Sequence, residues 1–279
     1  MPESITLKSN AKVNLALRIT GRRENGYHTI STLFQEIDLH DKITFEKSRK
    51  FSFLTSAPDL PRNERNLCVL AYKKVSELAD DRDRQPYKVY LKKNIPVGAG
   101  LGGGSSNAAT VVRFLIQHWN LKLSEEKMLQ IARSLGADIP FFIKGGTQIG
   151  EGIGDVLKPV KLVPNFKILC VIPDFKISTE WAYKKFSLTN RKDKFNFDRL
   201  ILDGFPNWEL FENHFEEIVT QSYPEISDMK QKLLKGGAEY AGLSGSGSTV
   251  IGVFKKDKDL KPMCKSIDYL TAITNPVIN

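Results

Sequence analysis

Along the first twenty residues, apolar and polar side chains alternate with a period of two. Ile5, Leu7, Ser9, Ala11, Val13, Leu15, Leu17 and Ile19 fall on one side, and Thr6, Lys8, Asn10, Lys12, Asn14 and Arg18 on the other. Such alternation describes a strand with one covered face, and it sets Lys12 and Asn14 together on the non-core face. The strand runs out in GRRENGYH, where Asn25-Gly26 is a hairpin signal. Further extended stretches are expected around 28–38 and 42–53. The spacing turns helical over 66–78, where Leu67, Leu70, Ala71, Val75 and Leu78 share a face. YKVYLKKN, residues 87–94, alternates again and leads straight into PVGAGLGGGSS, residues 96–106.

A broad apolar face made by Ala108, Ala109, Val111, Val112, Leu115, Ile116 and Trp119 predicts a helix after that loop, with Ser105 or Ser106 as its N-cap. A second helix is expected from Ser124, with Glu125 and Glu126 in its first turn and a stop at Gly136. ADIPFFIKGG and GEGIGD follow, and KPVKLVPN near 158–165 reads as a domain boundary. Beyond it the rhythm changes. A compact strand at 168–172 precedes a short helix opened by Ser178-Thr179. A helix near 225–235 ends at Gly236-Gly237, and strands near 238–243 and 249–254 flank the turn SGSGS. A helix near 257–267 and a strand near 269–274 complete a split β-α-β arrangement of the α+β class.

Composition narrows the function classes. A chain of 279 residues with 41% hydrophobic and 26% charged side chains suits a globular protein of one large or two joined domains. It contains no run long enough for a membrane helix and no signal-peptide pattern at its start, so no membrane partner is expected. Cys68, Cys170 and Cys264 are odd in number and widely spaced, which fits a reducing cytoplasm better than a disulfide framework. The net charge of +9 is spread among acids rather than gathered into a patch with interleaved aromatics. That distribution points to a basic surface suited to an anionic small molecule, and no nucleic-acid partner is expected.

Five of the 20 glycines lie between Gly98 and Gly104. Strand, glycine loop and helix in that order make a phosphate cradle: backbone N–H groups and the positive helix end hold the anion, and absent Cβ atoms let it approach. Pro96, Val97, Gly98, Ala99, Gly100, Leu101, Gly102, Gly103, Gly104, Ser105 and Ser106 are the candidate phosphate-binding residues. The loop lacks the Gly-Lys-Ser/Thr of a Walker A motif. Gly98, Gly100 and Gly103 fit GxGxxG, yet no acid lies in residues 117–123, where a dinucleotide-binding fold would hold a ribose. A phosphate cradle therefore ranks above a dinucleotide site and above a merely tight turn. Asp138 reads either as a catalytic carboxylate or as the cap of a turn starting at Pro140. Glu151 and Asp155 read first as turn residues.

PVGAGLGGGSSNAAT resembles the second motif of the GHMP kinases. AKVNLALRITGRRENGYHTI and AGLSGSGSTVIGVF are similar to first and third motifs of that superfamily, and the likeness runs from about residue 5 to 254. With NGYH, LGADIPFF and GEGIGD added, it comes nearest the branch that phosphorylates the 2-hydroxyl of a cytidine diphosphate-linked methylerythritol in the non-mevalonate route to isoprenoids. Homoserine- or mevalonate-type kinases are the alternative. The resemblance implies an α+β, two-lobed fold, with a ribosomal-protein-like lobe at 1–160 and a ferredoxin-like lobe at 161–279. It implies ATP as phosphoryl donor, with Mg²⁺ expected alongside it and no metal-ligating residue assigned. It implies Asp138 as the base that takes the hydroxyl proton and Lys12 as the cation that keeps that carboxylate ionised. Asn14, Tyr27, His28, Thr179 and Tyr183 match substrate-contacting positions, with Tyr27 and Tyr183 as an aromatic pair for the cytosine. The SGSGS turn has Ser248 where many relatives carry proline or alanine. A monomer or weak homodimer is expected.

Overall fold

The computed structural model describes residues 4–24, 26–80, 84–186 and 197–278, so Asn25 of the expected turn lies outside the described residues. Its contacts divide the chain into two compact units. The first comprises Met1–Ala11, Leu39–Val97 and Gly102–Lys144; the second comprises Lys12–Asp38, Gly98–Leu101 and Gly145–Asn279. Two long strands, β1 (Ser4–Arg22) and β2 (His28–Lys47), contribute residues to both. The chain reverses between them through Gly26 N–H to Arg23 O, 2.9 Å, and Arg23 N–H to Tyr27 O, 2.7 Å.

In the first unit, β3 (Ser52–Thr55) and β4 (Tyr87–Lys92) pair in parallel, and β4 pairs antiparallel with Lys42–Lys47 of β2. Helices α1 (Leu67–Ser76) and α2 (Gly103–His118) meet β4 through Tyr72 and Phe114, and α3 (Glu125–Leu135) and α4 (Ile139–Lys144) pack on those helices. Phe114 of α2, outside the expected apolar face, stacks on Phe45 at 3.6 Å and meets Tyr87 edge to face at 4.9 Å, while the expected face itself is buried. Local chemistry sets the helix ends. Asn66 accepts the Cys68 N–H at 2.9 Å, Ser124 accepts that of Lys127 at 3.2 Å, and Gly136 closes α3.

The expected N-cap at Ser105 or Ser106 is corrected. Helix α2 starts at Gly103, Gly102 occupies the cap position in the left-handed region, and no side chain caps the helix. Ser106 faces inward instead, its hydroxyl 2.7 Å from that of Ser9. The first turn of α2 holds no acidic residue either, so no side chain of that turn caps or neutralises its N-terminal N–H groups.

The second unit adds β5 (Thr147–Glu151), which pairs with Thr32–Gln35 of β2, and β6 (Val156–Pro159), which pairs with β5. In the tight turn joining them, Asp155 accepts the Ile153 N–H at 3.2 Å, consistent with the turn reading of Asp155. Then follow β7 (Phe166–Ile172), α5 (Thr179–Lys185), the short pair β8 (Ile201–Leu202) and β9 (Phe205–Pro206), α6 (Glu216–Ser222), α7 (Pro224–Lys235), β10 (Tyr240–Leu243), β11 (Val250–Lys255), α8 (Lys261–Lys265) and β12 (Leu270–Thr274). Four of these strands form an antiparallel sheet in the order β10-β11-β7-β12. The order of β7, α7, β10, β11, α8 and β12 along the chain, with β7 and β11 in the middle, is the expected ferredoxin-like split β-α-β unit. Helix α8 is shorter than the spacing suggests. Pro262 is confined to a first helical turn, and Asp259 accepts the Lys261 N–H at 3.0 Å, which fixes the start.

Leu17, Ile19 and Ile30 share one core with Leu169, Val171, Leu243, Val250 and Phe254. The other face of β1 is covered as well, with Lys12 and Asn14 only 5% and 2% exposed. Their expected place on an open polar face is corrected: the second face is interior too. Burial is tolerable because the Lys12 ammonium donates to Asn14 Oδ1 at 2.6 Å and lies 5.2 Å from the centre of the Phe34 ring.

Candidate active site

Within the second unit, three distant sequence motifs converge on Lys12 and Asn14. Asn14 accepts from Lys12 through Oδ1 and donates through Nδ2 to Thr32 Oγ1 at 2.7 Å, whose hydroxyl donates to Ala16 O at 2.7 Å. This chain of bonds fixes the amide orientation, since Oδ1 must face the cation. The Lys12 N–H donates to Leu101 O at 3.0 Å, joining β1 to the glycine loop. The Asn14 N–H donates to Ser244 Oγ at 3.2 Å, and Ser244 Oγ donates to Gly100 O at 3.3 Å. Thr249 Oγ1 donates to Ala99 O at 2.6 Å. First motif, loop and SGSGS turn are thus one bonded assembly.

Gly100 illustrates why the loop needs its glycines. Its φ is +78°, and a Cβ there would stand 2.7 Å from both Gly247 O and Ser244 O. The residues between glycines do the anchoring: Ala99 and Leu101 are 5% and 1% exposed. Small residues with left-handed backbone between buried apolar anchors turn successive N–H groups to one side, a shape suited to anions.

The floor of the SGSGS turn rests on Asn213, which the sequence reading did not single out. Its Nδ2 donates to Leu243 O at 2.6 Å and Gly245 O at 2.8 Å, and its Oδ1 accepts the Phe215 N–H at 2.9 Å. A Cβ on Gly245 would lie 3.3 Å from Asn14 Oδ1 and 3.9 Å from Lys12 Nζ, so the turn closes directly over the buried lysine. Thr179 reaches the same turn, with its hydroxyl 2.9 Å from that of Ser246.

His28 and Tyr183 are brought together as a stack, with ring centres 5.0 Å apart and planes 22° from parallel. Phe186 sets its edge on His28 at 6.5 Å, and Tyr183 sets its own on Phe215 at 4.9 Å. Burial, and then the nearby Arg22 charge, hold the His28 imidazole below the ordinary histidine range. Tyr27 is 64% exposed beside this group.

In the first unit, Asp138 is half-buried and immediately precedes α4, which packs on α2. The same unit holds Pro96, Val97 and Gly102 to Ser106, with Val97 and Gly104 exposed. A second network missed in the sequence fixes the entry to the loop. Fully buried Asp41 accepts the N–H groups of Asn94 and Ile95 at 2.6 and 2.8 Å, Asn107 Nδ2 at 2.9 Å, and the Lys93 ammonium. Asn107 also donates to Ser9 Oγ at 3.0 Å. A Cβ on Gly103 would lie 3.0 Å from Lys93 Nζ, so this ion pair sits under the start of α2. Asp41 offered no local signal, being one acid in a strand whose partners lie more than fifty residues away.

No group of three or more His, Cys, Asp or Glu side chains among the described residues is arranged to hold a metal ion, and no described helix is long and apolar enough to cross a membrane.

Comparison with known proteins places the chain and its fold in one family. The family model for the GHMP kinases N terminal domain matches residues 66–146, and that for GHMP kinases C terminal matches 197–267. The chain is 38% identical over 268 residues to the 4-diphosphocytidyl-2-C-methyl-D-erythritol kinase of Chloroherpeton thalassium, covering 91% of each. It is 41% identical over 271 residues to the enzyme of the same name from Thermodesulfovibrio yellowstonii, covering 94% of this chain and 93% of that one. A crystal structure of 4-(cytidine 5'-diphospho)-2C-methyl-D-erythritol kinase superposes with a TM-score of 0.84 at 26% identity, covering 99% of this chain and 100% of the other. The mevalonate kinase of Methanococcus jannaschii, at 17% identity and a TM-score of 0.71, shares the fold.

Proposed function

The chain belongs to the GHMP kinases, within them to the 4-diphosphocytidyl-2-C-methyl-D-erythritol kinase family, and on that premise we propose that it transfers the γ-phosphoryl group of ATP to the 2-hydroxyl of 4-diphosphocytidyl-2-C-methyl-D-erythritol. The observation that carries the chemistry is the bonded assembly of Lys12, Asn14, the loop at Gly98–Leu101 and the Ser244 turn. Phosphoryl transfer asks a protein for a held polyphosphate, fixed positive charge and a positioned hydroxyl. The N–H groups of residues 97–105, at a helix start with no side-chain cap, suit the polyphosphate.

Lys12 supplies fixed positive charge. Because its ammonium is already oriented by Asn14, stabilising charge on the transferring group requires no reorganisation. Asp138 accepts the proton of the attacking hydroxyl. Thr179 and Asn14 orient the acceptor. For the cytosine, Tyr27 and Tyr183 supply aromatic faces and neutral His28 offers a hydrogen bond. His28 and Tyr183 are already in contact, so the base packs on an outer face rather than between them.

Mg²⁺ bound with ATP would screen phosphate charge, with no residue of this chain assigned as its ligand. The lobes are proposed at 1–160 and 161–279, one family-model match falling in each, although the compact units interleave, with 12–38, 98–101 and 145–160 grouped with the C-terminal part. The reducing cytoplasm is the proposed location: Cys68 and Cys170 are unpaired and buried, and burial pushes both thiols up to about 12. The working form is a monomer or weak homodimer.

A coupled assay of ADP release across candidate alcohols tests the reading. Turnover is expected with the cytidine-linked substrate and not with homoserine or mevalonate; the reverse preference would overturn it.

A further inference from the structure

The loop between β7 and α5 carries a cation that no motif assigns. Its backbone is pinned on both sides of Lys176. Ser248 Oγ donates to Phe175 O at 2.8 Å, and Ile177 packs against Gly247, where a Cβ would come within 2.9 Å of Ile177 Cδ1. Two residues on, Thr179 meets Ser246. The loop is therefore fixed to the SGSGS turn, while the Lys176 side chain runs the other way, across the glycine loop. A Cβ on Gly98 would lie 3.3 Å from Lys176 Cδ and 3.5 Å from Cε. Gly98 has a φ of +76°, so the lysine stem lies flat on a left-handed residue of the proposed phosphate cradle.

The ammonium at the end of this stem is exposed and makes no hydrogen bond or ion pair with any described residue. It differs in this from Lys12 and Lys93, which are each committed to a partner in the interior. A cation on a fixed backbone, with its stem seated on the loop and its charge unspent, is preorganised for an anion bound there.

We propose that Lys176 is a polyphosphate-binding residue of this site, its ammonium closing on phosphate oxygens held by the Gly98 loop. The inference rests on the kinase reading above. Two ligands bring that chemistry, the phosphates of ATP and the diphosphate of the cytidine-linked acceptor, and direct titration separates them.

The full chain and its Lys176→Met variant, which keeps the stem and removes the charge, are titrated calorimetrically with a non-hydrolysable ATP analogue and, separately, with CDP. Lys176→Arg serves as the rescue, and Lys265→Met on α8 as the control for lost net charge. A roughly five- to tenfold rise in Kd is expected for Lys176→Met, recovered in the arginine variant and absent in Lys265→Met. A rise with the ATP analogue assigns the cation to the donor; a rise with CDP assigns it to the acceptor. Unchanged Kd for both, or equal weakening in Lys265→Met, overturns the proposal. Turnover of the unaltered chain with the cytidine substrate is read in parallel. Its failure would count against the kinase reading, whereas normal turnover with unchanged Kd values would count against Lys176 alone.

Discussion

Two side chains separate binding from chemistry at the level of single residues. In its proposed role Asp138 would act on a proton that moves only as the phosphoryl group transfers, so its charge would matter most in the transition state. Asp138→Asn is expected to lower kcat by about 10²- to 10⁴-fold while the Kd for ATP stays near that of the parent. Retained kcat in a steady-state assay would remove Asp138 from the role of base. His28 gives a second, independent check. Burial is the larger cause of its lowered pKa and Arg22 the smaller, so its NMR titration midpoint should fall below the ordinary 6.5 and rise only partway in Arg22→Met. The sign for stability follows. On acidification the unfolded chain takes up this proton first, so the histidine's contribution is present at neutral pH and lost as pH falls from 6.5 toward the folded value.

At the scale of elements, the glycine loop depends on two supports that no local pattern announces. Asn213→Ala would leave the Leu243 and Gly245 carbonyls and the Phe215 N–H without their partner, at a cost of about 2–4 kcal/mol by chemical denaturation. Asp41→Asn would strand the buried Lys93 charge under α2, and a loss of about 3–5 kcal/mol is expected, with weaker ATP binding in the fraction that folds. A loss under 1 kcal/mol in either variant would contradict the bonded networks described above. These supports mark where sequence reading stops. The strands β1, β4, β7, β10, β11 and β12, the helices α1 to α3 and the split β-α-β order were legible because periodicity and capping are local; β5, β6, β8 and β9 were not, and the stretches expected at 28–38 and 42–53 are one strand to Lys47 followed by the separate β3. Lys12 and Asn14 were legible as a pair but not as buried, because their cover comes from Thr32 and Phe34 on the next strand and from the Ser244–Gly245 turn, which the alternation within β1 does not reveal. The start of α2 was misread for a similar reason. A serine near a helix start favours capping, but the Ser9 hydroxyl, 97 residues distant in sequence, claims Ser106 instead.

Across the whole molecule, the charge of +9 and the glycine-rich loop narrow the ligand only to something anionic. In the proposed reading, identity of the acceptor rests on residues drawn from several elements: His28 and Tyr183 for the base, Asn14 and Thr179 for the polyol. The phosphate-handling parts belong to a fold shared with other small-alcohol kinases, so the product itself is the most informative observable. Carbon 2 of the methylerythritol carries a methyl group and no hydrogen. A phosphate on its oxygen has no hydrogen on the ester carbon to couple with, whereas an ester at a primary or secondary position is split by such hydrogens. Proton-coupled ³¹P NMR of the product from ATP and 4-diphosphocytidyl-2-C-methyl-D-erythritol therefore tests the central claim directly. One new, unsplit monoester resonance should grow in step with ADP. A split resonance, or ADP without a new ester, would contradict it.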